Sequence, residues 1–332
     1  MWFEALTGFR EASPQRVREN IIVDGEVLKS RVNGKAMNCG RLETPSLAEL
    51  RERVRGNKCE AGGISVREVV ANVQSLHTDE SLAGSLFQVA SQFNLLEMVS
   101  PSITPEQGVG IYENDHTQGP ACAIAAGAGT IYRNYFAGAN GHVGQTARDQ
   151  INCLADMGEA LGNADSDLWE MRNGYALASH DGLIKISERL RTASEEQLDE
   201  LRSLLRIGIQ WNTQVTLAGS SHKVSQAYCS ALPVAYCNHA VNLWERFALL
   251  VLESSYEATI CAAILNCRRN GNRKVFLTLL GGGAFGNETA WIIGGIERVL
   301  RLYEHFDLNV AIVSYALSQQ CVRELVGRFG PT

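Results

Sequence analysis

The chain has 332 residues, 45% of them hydrophobic and 20% charged, with a formal net charge of −6. That length holds one large domain or two smaller ones, and the acidic balance argues against a general nucleic-acid binder. No uninterrupted apolar run approaches the ~20 residues of a membrane span, and the opening residues lack the basic-then-apolar order of a secretory signal.

Nine cysteines, an odd number without a C-x-x-C pair, read as reduced thiols of a cytoplasmic protein with no structural zinc site. Residues 1–62 read as an extension packed on a main domain that occupies residues 63–332. Within the extension, residues 21–28 predict a hairpin turned at Asp24-Gly25. Residues 47–54 predict a short amphipathic helix introduced by Thr44-Pro45-Ser46. Residues 65–76 then predict a helix, and residues 85–94 a strand running into a polar end. A polar loop follows to Ala121. Residues 122–135 form a small-residue helix with Gly119-Pro120 at its start, suited to close approach by a ligand.

Residues 140–144 are glycine-rich and mobile by composition. Helices over 146–161 and 195–205 flank a stretch carrying Trp169 and Tyr175, so that about 140–206 reads as a mostly helical insertion. Strands over 210–215 and 223–236 come next, the second kinked at Ser230 and Pro233. Gln210, Trp211, Asn212 and Gln226 on them either line a cleft or fill the core. A long helix covers 243–267.

The densest signal is KVFLTLLGGGAFGN, residues 274–287. A strand apolar on both faces meets three adjacent glycines, and an apolar 3.6-residue rhythm resumes from Trp291 to Tyr303. The glycines lack the G-x-G-x-x-G spacing of a dinucleotide fingerprint, and no Lys-Ser/Thr follows as in a P-loop. Three in a row exceed what a turn needs. They let the backbone approach a ligand, and the free N–H groups at the following helix favour an anion. The segment therefore reads as a phosphate-binding loop, with Phe285 placed against a sugar or a base. A last strand over 309–314 and a closing helix over 318–326 complete the chain.

The GGGAFGN run resembles the phosphate loop of macrodomains, and its Gly-Ala-Phe-Gly core resembles the GCGAFG loop of the poly(ADP-ribose) glycohydrolase branch. The order of elements over residues 86–320 is macrodomain-like. Residues 104–127, TPEQGVGIYENDHTQGPACAIAAG, resemble the bacterial effector macrodomains related to MavL. The resemblance implies a three-layer α/β/α fold with an N-terminal extension and an insertion. It implies an ADP-ribosyl hydrolase that takes ADP-ribose as ligand or product without a cofactor, and an ADP-ribosylated protein as partner, ubiquitin in the MavL-type case. Asn94 resembles the family's Asn that faces the proximal ribose or the catalytic water. The Asn-rich loop and glycine run usual after it are replaced here by Leu95-Leu96-Glu97-Met98.

Cleaving ADP-ribose from a side chain passes through an oxocarbenium-like state and needs a carboxylate as acid or base. The candidates, in order of preference, are Asp115, Glu106 and Glu97, which fall with Glu113 between the first ligand strand and the ligand helix. Glu97 has a second possible role, bonding the adenine amino group. Phosphate contacts fall to the backbone of Gly282, Gly283, Ala284, Phe285 and Gly286 and to Gln118, Gly119 and Pro120. Asn287 either caps the following helix or touches ribose. Two alternatives stand beside the hydrolase. One is a non-catalytic ADP-ribose reader, which needs no general base. The other is a cysteine peptidase built on Cys122 at a helix start, with His222 or His239 as base. No His pair at ligand spacing and no Asp/Asn-rich cation loop points to a metal.

Overall fold

The computed structural model describes residues 1–56 and 62–329. The two-sided apolar run after Lys274 becomes a central strand, as its composition demands. Among the described residues seven strands form one mixed sheet: β1 (Arg41–Glu43), β2 (Ser65–Val70), β3 (Leu86–Ala90), β4 (Gly208–Gln214), β5 (Lys223–Cys229), β6 (Lys274–Thr278) and β7 (Asn309–Ser314). Their spatial order is β1-β4-β5-β3-β6-β7-β2. β5, β3, β6, β7 and β2 run parallel, and β4 and β1 are antiparallel additions at one edge.

Helices cover both faces, as three-layer α/β/α packing requires. They are α1 (Leu47–Arg55), α2 (Val73–Thr78), α3 (Gln118–Ala125), α4 (Gly127–Tyr135), α5 (His180–Thr192), α6 (Glu195–Ser203), α7 (Glu245–Asn270), α8 (Thr289–Leu302) and α9 (Gln320–Phe329). Successive residues of β3 show which helices lie on which side. Phe87 stacks on His77 of α2 with ring centroids 4.0 Å apart. Its neighbour Gln88 donates to Thr259 of α7 at 2.9 Å on the opposite face. α7 passes a length-and-composition test for a membrane span, which the run-length reading of the sequence missed. Yet 89% of its most apolar stretch is buried inside the protein, as for a core helix.

The extension contributes to the main sheet through β1, whose residues pair with Ile209 to Trp211 of β4. Its predicted hairpin forms as Ile21–Asp24 against Val27–Ser30, with Gly25 at φ +56 in the turn. α1 starts at a capping box: the Ser46 hydroxyl accepts from the Glu49 amide at 3.2 Å and the Glu49 carboxylate from the Ser46 amide at 2.7 Å.

Four local expectations are corrected. Residues 65–70 are the parallel edge strand β2 and only Val73–Thr78 is helical. Residues 146–154 are irregular, held by side-chain bonds such as the Asp149 amide to the Thr146 hydroxyl at 3.0 Å, and the helix there is Ala155–Leu161. The 122–135 helix starts earlier, at Gln118, and breaks at Ala126 into α3 and α4. Residues 138–143 close a two-rung hairpin.

Candidate functional site

β3 and β6 pair only at Leu86/Val275 and Phe87/Phe276, and then part. The freed edge is sealed from the side by an amide. Gln118 accepts from the Ala90 N–H at 2.8 Å and donates to the Gln88 carbonyl at 2.8 Å. The Gln88 side chain in turn accepts from the Thr278 N–H at 3.2 Å. Beyond this point the chain after β3 leads to α3 on one face, and the chain after β6 leads to α8 on the other. Adjacent parallel strands whose connections leave to opposite faces open a crevice at their carboxyl ends, where open α/β sheets bind ligands. A cavity of about 220 Å³ lies there, between the glycine loop and the start of α3.

The glycine loop closes on itself. The Asn287 N–H bonds the Gly281 carbonyl at 2.9 Å, and the Asn287 side-chain amide bonds the Leu232 carbonyl at 2.8 Å. Gly281 sits at φ +76, where a Cβ would come within 2.5 Å of the Ala231 Cβ, so no other residue fits. The N–H groups of Gly283, Ala284 and Phe285 take no partner from the described residues. Such an unpaired run of amides is an anion-binding concavity. The ring of Phe285 joins Tyr175 and Tyr236 at centroid distances of 5.3 and 5.6 Å, a partly exposed aromatic wall. Across the cavity Thr117, Gln118, Gly119 and Pro120 present the first turn of α3, whose leading amides have no intrahelical acceptor. Gly119 is also sterically required, since a Cβ there would lie 1.9 Å from the Ala90 carbonyl oxygen.

Glu97 is the chemically distinctive group. It lines the cavity, is 2% exposed, and neither carboxylate oxygen has a hydrogen-bond partner among the described residues. Burial pushes its carboxyl up to about 8, with Asp115 adding to the rise; the charge of Arg133 and the hydroxyl of Tyr112 pull the other way and do not prevail. The Glu97 N–H donates to the Tyr112 hydroxyl at 3.0 Å. The Arg133 guanidinium stands 3.6 Å from its carboxylate, and both side chains are wholly buried. The backbone beside it is strained, with Leu95 at φ +66.

Eight of the residues expected in the site meet at this cavity: Glu97, Asp115, Gln118, Gly119, Pro120, Gly283, Ala284 and Phe285. Asp115 is half-buried, and its carboxylate accepts from the Thr117 N–H at 2.9 Å. The others lie away from the lining. Glu106 bonds the Ala147 amide at 2.8 Å. Asn94 is buried against Gln150 at 2.9 Å. Gly286 packs its α-carbon towards Ala235, Gly282 faces solvent, and Asn287 acts as the loop's internal clasp. Reading the sequence missed Arg133, Tyr112, Tyr175 and Tyr236. Only the polar Ser91-Gln92 end of β3, which also lines the cavity, was signalled.

Cys122 does not stand at a helix start. It is the fifth residue of α3, wholly buried, and burial raises its thiol well above the ordinary value, with Glu97 adding to the rise. Its sulfur accepts from Gln118 at 3.2 Å. His222 and His239 point elsewhere, to the carbonyls of His77 and Ala178. A peptidase needs a thiolate beside a base, so that alternative is set aside. No group of three metal-ligating side chains is assembled among the described residues.

Fold and site define an open α/β protein with a crevice, lined by unpaired backbone amides, at the carboxyl ends of its parallel strands. No family model and no curated protein matches the sequence. Among solved structures the chain is similar to the poly(ADP-ribose) glycohydrolase of Thermomonospora curvata, at 11% identity over 95% of this chain and 96% of that one, with a TM-score of 0.45. It is similar also to the poly(ADP-ribose) glycohydrolase of Deinococcus radiodurans in complex with ADP-ribose, at 11% identity over 97% and 96%, TM-score 0.45. The Thermomonospora curvata protein bound to the inhibitor ADP-HPD gives 12% identity over 95% of each chain, TM-score 0.41.

Proposed function

We propose that the protein is an ADP-ribosyl hydrolase that breaks the glycosidic bond joining ADP-ribose to a modified protein, with Glu97 as the proton donor. The observation that carries this reading is the Glu97 carboxyl: buried, unpartnered, shifted up to about 8, and set in the wall of a cavity that also holds unpaired backbone amides. A carboxylic acid still protonated at neutral pH is what a leaving group needs. Asp115, on the same cavity and bonded to a backbone amide, supplies the carboxylate that activates water. The amides of Gly283, Ala284 and Phe285 and the first turn of α3 hold the pyrophosphate. The cavity of about 220 Å³ is smaller than the ~300 Å³ lower bound of a typical ligand pocket. In this reading it takes the reacting ribose and the pyrophosphate.

The test is calorimetric titration with ADP-ribose. Wild type is expected to bind in the micromolar range, about −8 kcal/mol. Gly283→Glu should abolish binding without harming the fold, because a Cβ at Gly283 meets nothing within 4 Å. Glu97→Gln should keep binding and lose release of ADP-ribose from modified protein. Binding with no turnover by wild type would leave the reader alternative instead. The resemblance of residues 104–127 extends the proposal to ubiquitin as the modified protein; unmoved ubiquitin amide resonances on titration would remove that extension.

A further inference from the structure

Arg133 is a fully buried cation beside the proposed acid, yet it makes no hydrogen bond to it. Its Nε donates to the Leu95 carbonyl at 3.0 Å, its Nη2 to the Thr130 hydroxyl at 3.2 Å, and its Nη1 to the Tyr228 hydroxyl. The guanidinium also lies over the Tyr228 ring, 3.6 Å from its centroid. Tyr228 is itself fixed. Having accepted from Arg133, its hydroxyl donates to the Gln226 side-chain oxygen. That sets the Gln226 amide, whose nitrogen donates to the Cys122 carbonyl at 3.0 Å and meets the His77 Nε2 at 3.0 Å. His77 Nε2 must then accept, so Nδ1 carries the proton and donates to the Val73 carbonyl at 2.8 Å. Burial lowers His77 to about 4, so this neutral tautomer holds across the working pH range. The direction of every bond in the chain Arg133–Tyr228–Gln226–His77 is determined, and the Glu97 carboxyl, 3.6 Å from the guanidinium, is left without a hydrogen bond among the described residues.

We infer that Tyr228 and Thr130 are positioning residues that hold the Arg133 guanidinium off Glu97, so that Arg133 lends the site a charge at 3.6 Å without a hydrogen bond that would ionise the acid. The role in turnover rests on the hydrolase reading; the arrangement itself does not. A directly bonded guanidinium would stabilise the carboxylate, and Glu97 would arrive at the reaction without its proton. The other groups facing Glu97 do not replace this control. The Tyr112 hydroxyl lowers the Glu97 carboxyl less than Arg133 does, Cys122 is held neutral by burial, and Asp115 raises the Glu97 carboxyl rather than lowering it.

The experiment follows Glu97 directly, as the carboxyl infrared band that disappears in Glu97→Gln, alongside the pH profile of kcat. Wild type should titrate near pH 8. Tyr228→Phe keeps the ring under Arg133 but frees Nη1, and Thr130→Val, the milder change, frees Nη2. Nη2 stands 3.6 Å from the Glu97 carboxylate, so a guanidinium released by either change can close on it. The midpoint should fall by at least about one pH unit, with the high-pH limb of kcat moving alongside it. Arg133→Met should move the midpoint upward. An unshifted midpoint in both Tyr228→Phe and Thr130→Val overturns the inference, even in an active enzyme. A shifted midpoint in a protein that binds but does not hydrolyse ADP-ribose upholds it and overturns only the hydrolase reading.

Discussion

Glu97 is a single residue whose burial costs the fold stability as pH rises. Its folded-state value of about 8 lies above the ordinary 4.5. Between those two values the unfolded chain releases a proton that the folded chain keeps, so folding stability falls as pH rises through that window and stays depressed above it. Glu97→Gln removes the penalty. The variant should match wild type near pH 4.5 and melt at least about 2 °C higher at pH 9, while losing turnover. Thermal melts across that range check it, and parallel curves would show that Glu97 is ionised or solvated in the fold. The sequence ranked this residue last of three carboxylates, because nearness to the ligand helix is visible in one dimension and burial is not. The groups that bury it, Tyr112, Cys122 and Arg133, are scattered along the chain, and none carries a local motif. Asp115 was legible because it sits in the turn before α3, where its carboxylate binds a nearby amide.

At the scale of elements, the start of α3 is held against β3 by the absence of a side chain. A Cβ at Gly119 would meet the Ala90 carbonyl oxygen at 1.9 Å and the Glu97 Cγ at 3.1 Å. Gly119→Ala should therefore push α3 from the strand at a cost of about 2 to 3 kcal/mol, and weaken ADP-ribose binding with it. Urea unfolding beside calorimetry reads both. An alanine tolerated at Gly119 would mean that α3 is not seated as described. Elements fixed by their own residues were readable: the helix of residues 47–54 introduced by Thr44-Pro45-Ser46, the hairpin of residues 21–28, the strand–glycine–helix run from Lys274 to Tyr303. Elements fixed by neighbours were not. Val66, Val69, Val70 and Val73 fall at helical spacing, yet the segment is an edge strand because β7 supplies a parallel partner along its whole length. Residues 146–154 have helix-forming composition, but Thr146 and Asn152 bond nearby amides and hold the backbone in turns.

At the scale of the whole molecule, an ion network centred on a buried carboxylate ties the extension to the insertion and the core. Arg51 of α1 donates to Glu257 of α7 at 2.6 and 2.8 Å and to Asp199 of α6 at 2.8 Å through each of two nitrogens. Glu257 is 1% exposed and also accepts from Arg298 of α8 at 2.8 Å and from the Tyr303 hydroxyl at 3.1 Å. Burial alone would raise the Glu257 carboxyl, but the bonds from Arg51 and Arg298 outweigh it and hold it below its usual value. With a depressed folded-state value, its contribution is present above the ordinary carboxylate range and is lost as pH falls through the folded value. Arg51→Met leaves Glu257 with Arg298, so the cost should be about 2 kcal/mol. Arg298→Met should cost about the same. Removing both leaves the buried carboxylate with the Tyr303 hydroxyl and no cation, and the loss should exceed the sum of the single losses, the signature of one shared acceptor. The acid limb of stability should flatten in the double variant, because the arginines that depress the Glu257 carboxyl are gone. Urea midpoints at pH 7 and pH 4 measure all of this. Strict additivity would show that Arg51 and Arg298 act on separate parts of the surface, and that the extension is held to the core by its other contacts, the β1–β4 ladder among them.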